Sequence, residues 1–188
     1  MVDHPDGRRT REGYAALIDL ARHQRQSFQR QVTTSVYHLE GRRVLVRGLL
    51  QDTYHDMRMA LLVDTAKAEI ADIEAVMLRY PFTICPEALD SYRRLIGLKL
   101  FQPGTMRRIH ELIPRRDGCT HLYHVLESCL RALFIGGRGG RPSDSVYETL
   151  QKAGPEERRL RAMENPFLKG TCLSFSRPPL SPAPDSTG

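Results

Sequence analysis

From Val32 the apolar pattern of this chain takes a period of two and keeps it to about Tyr80, a period that a pleated sheet satisfies and a helix does not. Val32 to Glu40 leads into a turn at Gly41 and Arg42. Val44, Val46 and Gly48 then alternate with Leu45, Arg47 and Leu49, which describes a β-hairpin. A second pair of strands, Met57 to Asp64 and Ile70 to Tyr80, is joined by the polar stretch Thr65 to Glu69. Four antiparallel strands in succession present one apolar face, which is stable only under a second layer.

Helices C-terminal to the strands supply the cover. Cys85-Pro86-Glu87 opens the first, since proline at the first helical position loses no hydrogen bond and Glu87 complements the positive end of the dipole. Leu89, Tyr92, Leu95 and Ile96 form its apolar stripe and Gly97 its stop. A loop containing Pro103, Gly104 and Pro114 comes next. Asp117-Gly118 then leads into Cys119 and the longest helical pattern, in which Leu122, Tyr123, Leu126, Cys129, Leu130, Leu133 and Phe134 share a face with Cys119. His121 and His124 are expected to point away from it. The fold class is α+β, an antiparallel sheet of about four strands covered by helices.

Residues 1–31 read as an N-terminal helical extension, with Tyr14, Leu17, Ile18 and Ala21 at helical spacing, and residues 32–135 as the core domain. Residues 136–175 hold a glycine-rich break (Gly136 to Gly140) and peripheral helices interrupted at Gly154-Pro155. The Pro/Ser-rich residues 176–188 are expected to be a disordered tail. No apolar run approaches the roughly 20 residues of a membrane span. With a polar, acidic start at Met1 to Asp6 and no basic-then-apolar leader, the expectation is a soluble cytoplasmic protein.

Four cysteines at irregular separations are not a disulfide framework, so in a reducing compartment they are free thiols or ligands. Cys85 and Cys119 each stand at a helix start, where unpaired N–H groups and the helix dipole favour the thiolate that binds metal. His55-Asp56 supplies imidazole and carboxylate in a turn upstream of both. These residues define a candidate metal pocket of Asp56, Cys85 and Cys119, with His55 or His121 as further ligands. The competing structural reading is two small buried hydrophobes and a solvated turn. Cys129 lies about 15 Å further along the helix than Cys119, too far to share an ion, and belongs to the core. Cys172 could enter as a ligand only if its loop folds back.

Chemistry of other kinds has little purchase. There is no nucleophile elbow, no G-x-x-x-x-G-K-[ST] loop and no H-E-x-x-H. A small hydrolase with Cys85 or Cys119 as nucleophile would need an adjacent base, for which His121 is the local candidate. The excess of 28 Lys and Arg over 22 Asp and Glu, +6 in all, grows from Arg107 onward and mildly favours anionic partners.

The segments G-x-x-x-D-x-x-H-D-M (Gly48 to Met57), C-P (Cys85, Pro86), L-I-G-L (Leu95 to Leu98) and G-C-T-H-L (Gly118 to Leu122) resemble an uncharacterised bacterial family known only as a domain of unknown function. The likeness covers roughly residues 40 to 135. More distantly, the order of strands and ligands is similar to the U-type iron–sulfur scaffold proteins (IscU/NifU-like). The turn is represented by His55-Asp56, the strand run by Ile70 to Val76, and the helix-opening cysteines by Cys85 and Cys119. That resemblance implies an IscU/NifU-like core and ligand roles for Asp56, Cys85 and Cys119. The first scaffold cysteine is missing, with His55 as the stand-in. Two thiolates plus nitrogen or oxygen suit zinc or mononuclear iron as well as an iron–sulfur cluster.

The expected function is therefore metal or iron–sulfur handling or regulation, with a protein partner and without turnover. The alternative is a metal-free interaction module that binds nucleic acid or an acidic partner through the Arg-rich C-terminal half.

Overall fold

The computed structural model describes residues 7–136, 152–163 and 173–176. The glycine-rich break beyond Gly136, Cys172 and the tail beyond Ser176 lie outside the described residues. One compact unit spans Arg25–Arg141; the other comprises Met1–Gln24 and Pro142–Gly188. In the latter, α1 (Gly7–Asp19) holds Tyr14, Leu17 and Ile18 but stops short of Ala21 and of the expected helical extension to residue 31, and two further helices run over Pro155–Met163 and Leu173–Ser176. Pro155 opens its helix at the position where a missing N–H is tolerated.

The larger unit holds a four-stranded antiparallel meander in the order β1-β2-β3-β4. Its strands are β1 (Arg30–Leu39), β2 (Arg43–Asp52), β3 (Asp56–Asp64) and β4 (Glu69–Arg79). Gly41 and Arg42 both take positive φ (69° and 58°), the backbone that reverses a chain within a tight hairpin. The alternation works as the sequence implies. Val44, Val46 and Leu50 of β2, with Met57, Met59, Leu61 and Val63 of β3, are buried on one face. Thr33, Ser35, Arg47, Arg58, Glu74 and Val76 line a concavity on the other. Register Val46↔Leu61 and Leu50↔Met57 sets these apolar side chains directly opposite each other.

The helical layer covers the apolar face. The longest helix, α3 (Thr120–Gly136), packs across β1, β2 and β3 through Leu122, Val125, Leu126, Cys129 and Leu133. The Cys85 segment is helical as expected but of the tighter 3₁₀ form, Cys85–Leu95, and it packs against β4 with Ser91, Tyr92 and Leu95 buried. Its i→i+3 bonding begins before Pro86, with Cys85 N–H donating to Phe82 O and Glu87 N–H to Ile84 O. Gly97, at φ 84°, ends the segment and donates to Ile70 O, so the chain returns along the edge of β4.

An expected loop proves to hold a further helix, α2 (Thr105–Leu112). Its one fully buried side chain, Ile109, stands among Thr105, Arg107, Arg108, His110 and Glu111, too sparse an apolar stripe to announce itself. No helix among the described residues is long and apolar enough to cross a membrane.

Candidate functional site

Asp52 ends β2 and organises the turn into β3. Its Oδ1 accepts the N–H groups of Tyr54 (2.8 Å) and His55 (2.9 Å), an Asx-type turn, while its own N–H donates to His55 O (2.9 Å). The same Oδ1 lies 2.9 Å from His55 Nδ1, and Oδ2 receives Arg30 Nε (2.8 Å) and Nη2 (2.7 Å). Arg79 Nη2 closes the turn by donating to the carbonyls of Asp52 (2.7 Å) and His55 (3.3 Å). The Asp52 carboxylate is wholly buried. Burial alone would raise its pKa, but the bonds from Tyr54, His55 and Arg30 outweigh it and hold the group well below the usual carboxylate range. No described buried side-chain nitrogen or oxygen lacks a partner.

An ionised Asp52 fixes the tautomer of His55. With Nδ1 presenting its proton to the carboxylate, the neutral ring keeps its lone pair on Nε2. Against that ring stacks His121, from the first turn of α3, with centroids 3.9 Å apart and planes tilted by 36°. His121 thus faces inward, contrary to the expectation from the helical wheel. The reason is Val125, which is fully buried and lies four residues on, so the inward arc of α3 is wider than the Cys119–Leu126–Cys129 stripe. Burial, followed by the nearby His55 and Arg30, lowers the pKa of His121.

The other sequence-derived ligands are placed differently. Asp56 projects from the face of β3 opposite the buried Met57, where its carboxylate accepts Gln51 Nε2 (2.9 Å) and Arg58 Nε (3.2 Å). Those bonds, with Arg58 the largest influence, lower its pKa. Cys85 opens the 3₁₀ segment and Cys119 immediately precedes α3; both are free, half-buried thiols packed against the core. The Cys119 carbonyl accepts the Tyr92 hydroxyl at 2.9 Å. Among the described residues no group of three or more His, Cys, Asp and Glu side chains is placed to hold one metal ion. Cys129 is a core residue, and burial pushes its thiol up to about 12.

Asp52 stands in the sequence only as the D of the Gly48–Met57 motif, with no site role assigned to it, and Arg30 is not singled out. Asp52 carried a readable signal, since an aspartate three residues before His55 and at the end of a strand commonly builds an Asx turn. Arg30 carried none, because its partner lies across the sheet in the pair Arg30↔Asp52.

Among the described residues, several arginines in and near the Arg-rich C-terminal half are engaged with nearby carboxylates. Arg94 and Arg116 meet Asp117, Arg107 and Arg108 meet Glu111, and Arg131 meets Glu127. Such exposed pairs contribute little stability, but they tie up cations that the sequence counts as free.

A four-stranded meander backed by α3, with a buried Asp–His turn between its central strands β2 and β3, defines a small α+β domain. The chain belongs to the family described as Protein of unknown function (DUF2889), whose model matches residues 28–134, more than half of the chain. No curated protein matches it, and no solved structure does.

Proposed function

We propose that the domain binds a transition-metal ion through His55 and His121, with Asp52 orienting His55 from behind. The observation that carries this reading is the stack of two imidazoles from distant segments, one of them with a buried carboxylate on its Nδ1. A ligating histidine ordinarily donates its other ring N–H to a carboxylate or carbonyl in this way. The influences that lower the His121 pKa favour the neutral imidazole, which is the ligating form. Two imidazoles leave positions on the ion for water or an incoming ligand, an open site of the kind zinc and iron accept.

The IscU/NifU-like reading rests on the order of strands and helix-opening cysteines. Its carboxylate, Asp56, lies on the far face of β3, so support is greater for a single zinc or iron at the imidazoles than for a cluster on Cys85 and Cys119. The nucleic-acid or acidic-partner alternative has less support, since Arg94, Arg107, Arg108, Arg116 and Arg131 are already paired.

The test is calorimetric titration of metal-free full-length protein with Zn²⁺ and Co²⁺, alongside His55→Gln, His121→Gln and Asp52→Asn. One saturable site is expected, abolished in either histidine variant. Asp52→Asn should weaken it by about 10- to 100-fold, the usual effect of losing a group that orients a ligand. Absence of saturable binding, or full affinity in His121→Gln, would sink the reading.

A further inference from the structure

Beside the start of α3 lies a cavity of about 370 Å³ that does not involve the imidazole pair. Its volume is within the range of about 300–1,000 Å³ typical of clefts that take small molecules. The floor is apolar, made by the buried Tyr92 and Ile113. The rim is polar and carries His110, Arg115, Thr120 and Tyr123, and no carboxylate lines the space.

Arg115 differs from its neighbours. Arg94 and Arg116 share Asp117, and Arg107 and Arg108 share Glu111, whereas Arg115 has no carboxylate partner among the described residues. Glu127, four residues on from Tyr123, is itself engaged by Arg131 at 2.7 Å. The Tyr123 hydroxyl is a hydrogen-bond donor. Its oxygen lies 3.1 Å from His110 Nδ1. When Tyr123 donates to Nδ1, the neutral imidazole carries its own proton on Nε2 and is a donor on its other side. The first N–H groups of α3, beside Cys119 and Thr120, add the positive end of a helix dipole. The polar groups around this floor are thus a free guanidinium and hydrogen-bond donors.

We propose that this cavity binds a small organic anion with a flat apolar body, an aromatic carboxylate whose ring rests on Tyr92 and Ile113. Its carboxylate meets Arg115 and His110 Nε2. A guanidinium suits a planar carboxylate because both are flat and two-pronged.

The test uses the full chain labelled with ¹⁵N and titrated with benzoate, with neutral benzamide of the same shape, and with inorganic phosphate. Benzoate should move the amide signals of Gly118, Cys119 and Thr120 saturably, and benzamide and phosphate should each bind at least tenfold more weakly. Arg115 is exposed and unpaired, so Arg115→Gln leaves the fold intact; it should weaken benzoate at least tenfold and leave benzamide unchanged. Tyr123→Phe, which frees the His110 tautomer, should weaken benzoate about threefold. Scattered shifts, equal affinity for benzoate and benzamide, or benzoate binding unchanged in Arg115→Gln would overturn the proposal. Phosphate binding as tight as benzoate would overturn the aromatic body it assigns.

Discussion

Gly48 of β2 lies directly under α3, and a Cβ built on it would stand 2.5 Å from Cys129 Sγ and 2.6 Å from Val125 Cγ1. The helix that carries His121 therefore seats on the sheet at a point where only hydrogen fits. β2 pairs Gly48 with Met59 and Thr34, so the strand itself is regular there and the glycine serves helix approach.

Gly48→Ala should therefore overpack the interface and lower stability by about 1–3 kcal/mol, the usual range for a methyl forced into a filled core. Cys129→Ala removes one of the two obstructing atoms. The double variant Gly48→Ala/Cys129→Ala should lose less than the sum of the single variants in urea unfolding, because residues in contact are not additive. Strict additivity would mean that α3 does not rest on Gly48 through Cys129.

Asp52 makes stability depend on acid. Its folded pKa lies below that of the unfolded chain, so its contribution is fully present above the unfolded value near pH 4 and disappears as pH falls toward the folded value. Asp52→Asn should remove this part of the acid dependence. At neutral pH it should cost about 1.5–3 kcal/mol, the range for hydrogen bonds to a charged group, since Arg30 keeps part of its side chain in solvent. Chemical unfolding at pH 7 and at pH 3.5 compares the two proteins, and the gap between them should narrow in acid.

How much of this could be read from sequence depends on the range of the interaction. Val44, Val46, Met57, Met59 and Leu61 alternate within single strands, so the meander and its buried face were legible. The 3₁₀ form of Cys85–Leu95 was not, because i→i+3 and i→i+4 bonding bury nearly the same stripe of Tyr92 and Leu95. Cys85 and Cys119 were recognisable as segment starts, while their packing depends on the whole helical layer. His55 and His121 could both be named as candidates for one pocket, but their direct ring contact was beyond reach, since it needs the register of β2 with β3 and the rotation of α3 about its buried Val125. Asp56 was misleading for a simple reason: the pleat turns it to the face opposite Met57, one residue away.

Thiol chemistry distinguishes the cysteines. Cys129 is fully buried and its thiol is pushed up to about 12, so at pH 8 it should stay unmodified by a maleimide in the folded protein. Cys85 and Cys119 are half-buried and should label first. Peptide mass spectrometry after a short pulse should find label on those two and none on Cys129 until denaturant is added. Labelling of native Cys129 at a comparable rate would contradict its place under α3.

The Tyr92 hydroxyl joins the 3₁₀ segment to the start of α3. Burial pushes the Tyr92 phenol well above its ordinary pKa, so the group is a donor at every working pH, and it donates to the Cys119 carbonyl at 2.9 Å. Tyr92→Phe keeps the ring in the core and removes only the donor. Leaving that carbonyl without its partner should cost about 1–2 kcal/mol. Loosening at the start of α3 should also raise the labelling rate of Cys119 while that of Cys85, at the other end of the segment from Tyr92, stays as it was. Unchanged stability and unchanged Cys119 labelling in Tyr92→Phe would show that Tyr92 acts through ring packing alone and that its hydroxyl does not hold the helix start.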